Sequence, residues 1–299
     1  MESDMGSSRG ARYPSEVSRA CPVCSAQTRG LGSDRAPHPL RACHACGHRF
    51  ALATPEQLER LYGASYDGFR EDPIFEASVR RLLSERVTPL LSGPVNLLDV
   101  GCGNGTVLRV ARDLGWKAKG IDMSAAAVAF CKARGLDADV VDFATEAIEP
   151  ASYDLVTFWD VLEHLIEPRL FIRSAARVLR SGGLLLVKVP AHRRLSVAVS
   201  AYVPRLSRAV LMTPAHLQFF SKNSLRILLG ELFEDVRWVP VAGLRGSAMR
   251  GSLRRRLGRS VVHAIQRTSG DHTLLAVARR TTKPILQSRP LFCSQAPMK

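Results

Sequence analysis

The amino-acid sequence predicts an α/β fold in which a central, mostly parallel sheet carries helices on both faces. Three short stretches with strand character, at residues 97–100, 116–121 and 138–141, alternate with two stretches of helical pattern. Each strand runs into a glycine-rich turn or ends at an acidic residue. Because open α/β sheets bind ligands beyond the carboxyl ends of their strands, we expect a ligand crevice at these turns.

The first strand leads into the most informative segment of the chain, LLDVGCGNG at residues 97–105. Gly101, Gly103 and Gly105 let the backbone turn tightly and approach a ligand closely. The next helix, predicted over 106–114, points its N-terminal N–H groups at that ligand. A dinucleotide fingerprint would need a glycine at position 106, where Thr106 stands, and the lysine of a Walker loop is absent. We therefore expect a nucleotide-like ligand of another kind.

The other elements are predicted from periodicity and from helix-ending glycines. A helix over 73–91 should bury one apolar face that includes Ile74. The second helix after the glycine turn should end at Gly135, a typical C-cap. Further along the chain we expect a strand over 153–159, a helix that ends at Gly182 and Gly183, a strand up to Val189, a helix over 221–233, and strands over 235–239 and 272–278.

Two further runs follow the strand predicted over 153–159. They are DVLEHL at residues 160–165 and RVLRSGGLLLV at residues 177–187. With the acid-glycine pattern that begins at Asp99, they resemble motifs of the class I S-adenosylmethionine (SAM) methyltransferases, especially the ubiquinone-biosynthesis O-methyltransferase-like branch. The similarity covers about residues 95–190, and Ser181 stands where the family has a proline. The resemblance implies SAM as cofactor and a Rossmann-like seven-stranded sheet whose last strand is antiparallel.

The resemblance also assigns residues to the cofactor. Asp122, at the end of the second strand, would accept hydrogen bonds from the ribose hydroxyls, as acids at this position do in related folds. Asp142, after the third strand, would lie near the adenine amino group. The full set predicted to contact SAM is Asp99, Gly101, Gly103, Asn104, Gly105, Asp122, Met123, Asp142, Phe143 and Trp159.

Candidate catalytic residues follow the fourth strand. Asp160, Glu163 and His164 have the spacing that places side chains on one face of a helix, and His216 lies further along the chain. The set resembles those of metal-assisted O-methyltransferases and small-RNA terminal 2′-O-methyltransferases, which implies a catalytic Mg²⁺ ion. Asp160 stands where the second group has a glutamate. The alternatives are that Glu163 and His164 only satisfy backbone groups around the pocket, or that His164 acts as a simple base.

A separate metal site is predicted near the N-terminus. Cys21 and Cys24 form one C-x2-C pair, and Cys43 and Cys46 form a second pair. Eighteen residues lie between the two pairs. This spacing is typical of a zinc ribbon, in which four thiolates close a tetrahedral structural Zn²⁺ site. A redox pair, or mixed ligation that includes a nearby histidine, is the alternative.

Composition bounds the remaining possibilities. The chain of 299 residues is 46% hydrophobic and carries a formal charge of +15, so it can bury a full core and could bind an anionic partner such as RNA or an acidic membrane surface. No apolar run is long enough for a membrane span or a signal segment, so the sequence predicts a cytoplasmic protein.

The predicted organisation is a disordered N-terminus (1–19), a zinc ribbon (20–52), linker and lid helices (53–92), a methyltransferase domain (93–280) with a cap insertion at about 191–216, and a tail (281–299). The predicted activity is methyl transfer from SAM to a hydroxyl of a small-molecule, sugar or lipid-like intermediate. An RNA methyltransferase and a non-catalytic SAM-binding interaction module are the alternatives.

Overall fold

The computed structural model describes residues 20–32, 38–54, 57, 71–192, 197, 211–213, 215–240 and 273–282. Eleven strands lie in these ranges and form two sheets. In chain order they are β1 (Thr28–Leu31), β2 (Leu40–Cys43), β3 (Arg49–Ala51), β4 (Asn96–Val100), β5 (Lys117–Asp122), β6 (Ala138–Val140), β7 (Tyr153–Trp159), β8 (Leu179–Pro190), β9 (Gln218–Phe219), β10 (Phe233–Trp238) and β11 (Thr273–Arg280).

Five α-helices are described, and their starts follow the local chemistry. Asp72 and Ser124 accept hydrogen bonds from the first turns of their helices, and Ser221 forms a reciprocal capping box with Ser224. The helices are α1 (Pro73–Leu82), α2 (Thr106–Asp113), α3 (Ala125–Lys132), α4 (Pro168–Val178) and α5 (Lys222–Leu229). The first continues into a π-helical turn (Leu83–Val87) and a 3-10 turn (Thr88–Leu90).

The larger sheet confirms the predicted fold class. Its seven strands lie in the order β10-β11-β8-β7-β4-β5-β6. Strands β4 to β8 pair in parallel, whereas β11 pairs antiparallel with both β8 and β10. Helices α1, α2 and α3 bury apolar side chains on one face of this sheet, and α4 and α5 bury theirs on the other. The carboxyl ends of β4, β5, β6 and β7 therefore meet at one edge, as a ligand crevice requires.

The smaller sheet joins the predicted ribbon to the rest of the chain. Its strands lie in the order β1-β2-β3-β9, so its fourth strand comes from a segment that follows β8. Three of the four ribbon cysteines are buried in the same apolar cluster as one face of the larger sheet. The ribbon therefore shares its core with one face of the larger sheet.

Three local predictions were wrong. The helix expected to end at Gly182 stops at Val178, and Gly182 lies inside β8, where the register with β7 shifts. Residues 160–165 do not form a helical turn that includes Asp160, because that residue has φ +52° and only Leu162–His164 is helical, as a 3-10 turn. Ile74, expected on the buried face of α1, is 72% exposed.

Several other predictions concern segments outside the described residues. They include the N-terminus over 1–19, most of the cap insertion, and the tail beyond residue 282. In the part of the chain that is described, no helix has the length and apolar character needed to cross a membrane.

Candidate active site

The glycine turn joins β4 to α2 with a backbone that needs glycine. Gly103 has φ +51°, and Gly105 has φ +70°. A Cβ on Gly105 would lie 2.5 Å from Leu136 Cδ1 and 2.9 Å from Cys131 Sγ, so a side chain there would clash with the core. The turn is held against β5 because Gly101 N donates to Ile121 O at 2.8 Å.

Asp122 organises this turn from the end of β5. Its Oδ2 accepts a hydrogen bond from Gly103 N at 3.0 Å, and its Oδ1 accepts one from Ser124 N at 2.8 Å. The carboxylate thus joins the glycine turn to the start of α3 at the position where the cofactor ribose is expected. The neighbouring Met123 is 67% exposed.

Asp99 lies below the turn rather than on its surface. Its carboxyl group is buried and accepts a hydrogen bond from Thr157 Oγ1 on β7 at 2.6 Å. Burial raises the pKa of Asp99 to about 8, although the Thr157 hydrogen bond opposes this shift. Asn104, which the sequence also assigns to the cofactor, accepts hydrogen bonds from Thr106 N at 3.1 Å and from Thr106 Oγ1 at 2.8 Å.

Two further predicted cofactor residues follow β6. Asp142 Oδ1 accepts a hydrogen bond from Ala144 N at 3.0 Å, which fixes the turn after the strand. The Phe143 ring is buried, with its centroid 6.0 Å from that of Phe158 and 5.8 Å from that of Phe171. Any contact of Phe143 with the cofactor would therefore come from its backbone.

Trp159 ends β7 on the crevice side. Its ring meets that of Phe75 edge-on with a centroid distance of 5.8 Å. Its buried indole Nε1 has no hydrogen-bond partner among the described residues. A buried donor of this kind is available to a ligand.

Asp160 occupies a different place from the one its spacing predicts. The left-handed backbone at this residue directs its N–H to Lys188 O at 3.0 Å, and its carboxylate forms an ion pair with Lys188 Nζ. Lys188 lies in β8, and its side chain is only 2% exposed. A charge buried to this degree needs a partner, which Asp160 supplies.

The structure brings Glu163, His164 and His216 together. One ligand atom from each residue lies within 4.8 Å of the other two, and the rings of His164 and His216 are 5.0 Å apart. Burial raises the pKa of Glu163 well above its usual range, and the charge of Asp160 adds to this effect. Burial also lowers the pKa of His164 and lowers that of His216 to about 3. Burial therefore disfavours the charged form of all three side chains.

Hydrogen bonds fix the ring of His164. Its Nδ1 lies 2.7 Å from Ala215 O, and the backbone of Asp160 also hydrogen-bonds to the ring. Its Nε2 lies 3.9 Å from Glu163 Oε1. A neutral imidazole held this way has the protonation state of a general base.

Sequence reasoning missed Lys188 and His192. Lys188 is the one charged residue in the run LLLVKV, which is a usable signal because buried strands rarely contain an unpaired lysine. His192 follows β8, and its ring lies 6.3 Å from that of His216. Burial lowers the pKa of His192 to about 4. Nothing in the local pattern around His192 marks it.

The four ribbon cysteines also converge. Their sulfur atoms all lie within 4.8 Å of one another, and Cys21 Sγ is 3.5 Å from Cys46 Sγ, as Cys24 Sγ is from Cys43 Sγ. A set of four thiols at this spacing fits a metal-binding zinc ribbon.

Comparison with known proteins identifies the family. A family model described as a methyltransferase domain matches residues 69–232, more than half of the chain. The chain therefore belongs to this family, and it is a class I SAM-dependent methyltransferase.

Individual relatives agree with this assignment. The ubiquinone biosynthesis O-methyltransferase of Xanthomonas oryzae pv. oryzae is 34% identical over 161 residues, which cover 47% of this chain and 67% of that protein. The protein of the same name from Ralstonia nicotianae is 32% identical over 145 residues, or 45% of this chain and 60% of that protein. A SAM-dependent methyltransferase structure from Archaeoglobus fulgidus covers 72% of this chain and 97% of its own, with TM-score 0.50 and 16% identity, and supports the fold alone.

Proposed function

We propose that this methyltransferase transfers the methyl group of SAM to a hydroxyl group of a small-molecule, sugar or lipid-like biosynthetic intermediate. The single observation that carries the proposal is the grouping of His164 with Glu163 and His216, whose ligand atoms lie within 4.8 Å of one another in a buried site that favours the neutral imidazole a base requires. The ubiquinone-biosynthesis names of the relatives agree with an oxygen acceptor.

Methyl transfer to a hydroxyl group needs a base. The sulfonium of SAM supplies an activated methyl group, so the protein has to align the acceptor and exclude water. A neutral hydroxyl attacks well only if its proton leaves at the same time. His164 accepts that proton, with the Glu163 carboxyl group 3.9 Å from its Nε2.

The cofactor is proposed to lie across the glycine turn. Gly101, Gly103 and Gly105 leave room for the amino-acid part of SAM, and Asp122 and Asp142 face its nucleoside. The supporting observation is that β4, β5 and β6 all end at the edge where these residues lie. Trp159 Nε1, buried and without a hydrogen-bond partner among the described residues, is a further donor for this ligand.

We also propose that the ribbon cysteines hold a structural Zn²⁺ ion. Four sulfurs within 4.8 Å of one another form a closed thiolate set, which suits Zn²⁺ and leaves no position for substrate. The metal would supply folding free energy to a segment whose own strands have only three or four residues.

The Glu163, His164 and His216 set does not fit Mg²⁺ well. Two of its three donor atoms are imidazole nitrogens, whereas Mg²⁺ prefers oxygen ligands and octahedral geometry. Asp160, the fourth ligand expected from sequence, is already paired with Lys188. The proposed proton transfer therefore uses protein groups alone.

The test compares His164→Asn with His44→Asn, an exposed histidine in the ribbon that serves as a matched control. Each protein is incubated with methyl-labelled SAM and separate fractions of hydroxylated metabolites and of RNA. We expect the His164 variant to lose about 10²–10⁴ in turnover on a metabolite fraction while its SAM affinity is unchanged. Undiminished turnover would contradict the role of His164. Label that appears in RNA alone would mean that the acceptor is RNA and not a small molecule.

A further inference from the structure

The segment that carries His216 is attached to the ribbon as well as to the pocket. Strand β9 pairs antiparallel with β3, with Gln218 opposite Phe50. The carbonyl of Leu217 accepts a hydrogen bond from Ala51 N at 2.8 Å, and its N–H donates to Glu163 O at 2.7 Å. One residue next to His216 therefore links the backbone of the ribbon to the backbone of Glu163.

A buried side-chain pair repeats this link. The amide Nε2 of Gln218 donates to Leu165 O at 2.7 Å, so its Oε1 faces His48 Nε2 at 2.9 Å as an acceptor. His48 is therefore protonated on Nε2. Both side chains are almost completely buried, so each hydrogen bond is made in a low-dielectric environment where its loss leaves a polar group without a partner.

His48 is in turn fixed by the metal-binding part of the ribbon. Its backbone carbonyl accepts a hydrogen bond from Cys43 N at 2.8 Å. Its ring lies 6.1 Å from that of Phe50 in a stacked arrangement and 5.1 Å from that of Phe220. The contacts run without a break from the second cysteine pair through His48 and Gln218 to the turn that carries Glu163 and His164.

We propose that the ribbon positions the acceptor pocket, with His48 and Gln218 as the positioning residues that set His216 against Glu163 and His164. The effect on turnover rests on the proposed function, whereas the hydrogen-bonded connection between the ribbon and the pocket does not. Neither residue touches the reacting atoms in this proposal. Their role matters because displacing a catalytic group by about 1 Å can cost about 10²-fold in rate.

The test uses the full chain with its metal and compares His48→Phe with His44→Phe. The first substitution removes the donor to Gln218 and keeps an aromatic ring, and the second changes an exposed residue of the same ribbon turn. We expect hydrogen exchange in residues 162–166 and 215–219 to speed up about tenfold or more in the first variant only. Exchange in residues 99–105, the metal content and the Kd for SAM should match wild type.

Two additional proteins complete the test. His48→Gln, which keeps a side-chain N–H donor, should restore most of the protection in residues 162–166 and 215–219. Wild-type protein stripped of metal by a chelator should lose protection in the same two segments while SAM still protects residues 99–105.

Protection that stays at wild-type levels in both His48→Phe and the stripped protein would overturn the proposal. Equal acceleration of exchange in all three segments would also overturn it, because the effect would then be general unfolding. A protein that shows the linked exchange but transfers no methyl group contradicts the proposed function alone.

Discussion

Replacing Gly103 with alanine, next to a matched control, distinguishes an effect on cofactor binding from an effect on folding. Gly103 has φ +51°, and a Cβ built on it meets nothing closer than Gly101 O at 4.0 Å. Gly115 provides a matched control, because it has φ +76°, has nothing within 4 Å of its Cβ position, and lies at the opposite end of α2 from the glycine turn. Both substitutions therefore carry backbone strain without a clash against the protein.

The expected changes differ between the free energy of unfolding and the Kd for SAM. A left-handed backbone costs an L-residue about 1–2 kcal/mol, so both variants should lose a similar free energy of unfolding. Only the Gly103 variant adds a methyl group to the surface proposed to hold SAM. Overpacking of that kind costs about 1–3 kcal/mol, which corresponds to a rise in Kd of about 5-fold to 150-fold.

Isothermal titration calorimetry with SAM and urea unfolding of both variants provide the two numbers. The expected result is equal loss of unfolding free energy and weaker SAM binding in Gly103→Ala alone. If the two variants bind SAM with the same Kd, the turn does not hold the cofactor. In that case the reasoning that begins from the glycine spacing fails.

Two further predictions concern buried ionisable side chains. Asp99 keeps its proton in the folded protein up to a pH of about 8 but loses it near pH 4 when unfolded, so its contribution to stability falls as pH rises between these values. Urea unfolding at pH 5, 6.5 and 8 should show that Asp99→Asn removes a slope of up to about 1.4 kcal/mol per pH unit, and an unchanged slope would contradict the shift. Asp160→Asn should cost about 3–5 kcal/mol because it leaves the 2%-exposed Lys188 without its partner. Lys188→Met should cost less, since the Asp160 side chain it leaves behind is 38% exposed, and the reverse order in thermal or urea unfolding would refute the pairing.

The fold was largely predictable because its signals are local. Strand β7 (Tyr153–Trp159) has the bounds that the sequence predicts, and α2 and β6 differ from their predictions by one residue at one end. The break after Val178 was not predictable in the same way. A glycine pair usually ends a helix, but here Leu179 already pairs with Tyr153, and Gly182 serves the irregular register that follows. The pairing of β8 with β7 therefore determines where α4 ends, and the local preference of the glycine pair does not.

The site was predictable only where neighbours in sequence are neighbours in space. Glu163 and His164 were found from one motif, but the position of Asp160 depends on a positive φ that non-glycine residues seldom adopt. The contact between His48 and Gln218 joins residues 170 positions apart. The pattern of residues along the chain does not indicate such a contact. This part of the site could therefore be found only from the structure.

The ionisable groups around the pocket suit an acceptor that gives up a proton during methyl transfer. Lys188 pairs with Asp160, and burial disfavours the charged forms of Glu163 and His164. In the proposed transfer the sulfonium loses its positive charge while the acceptor proton passes to His164, so one positive charge moves from the cofactor to the imidazole. The imidazolium then lies beside Glu163, and its positive charge lowers the pKa of that carboxyl group. A nucleophile with no proton to lose would have no use for the neutral imidazole of His164.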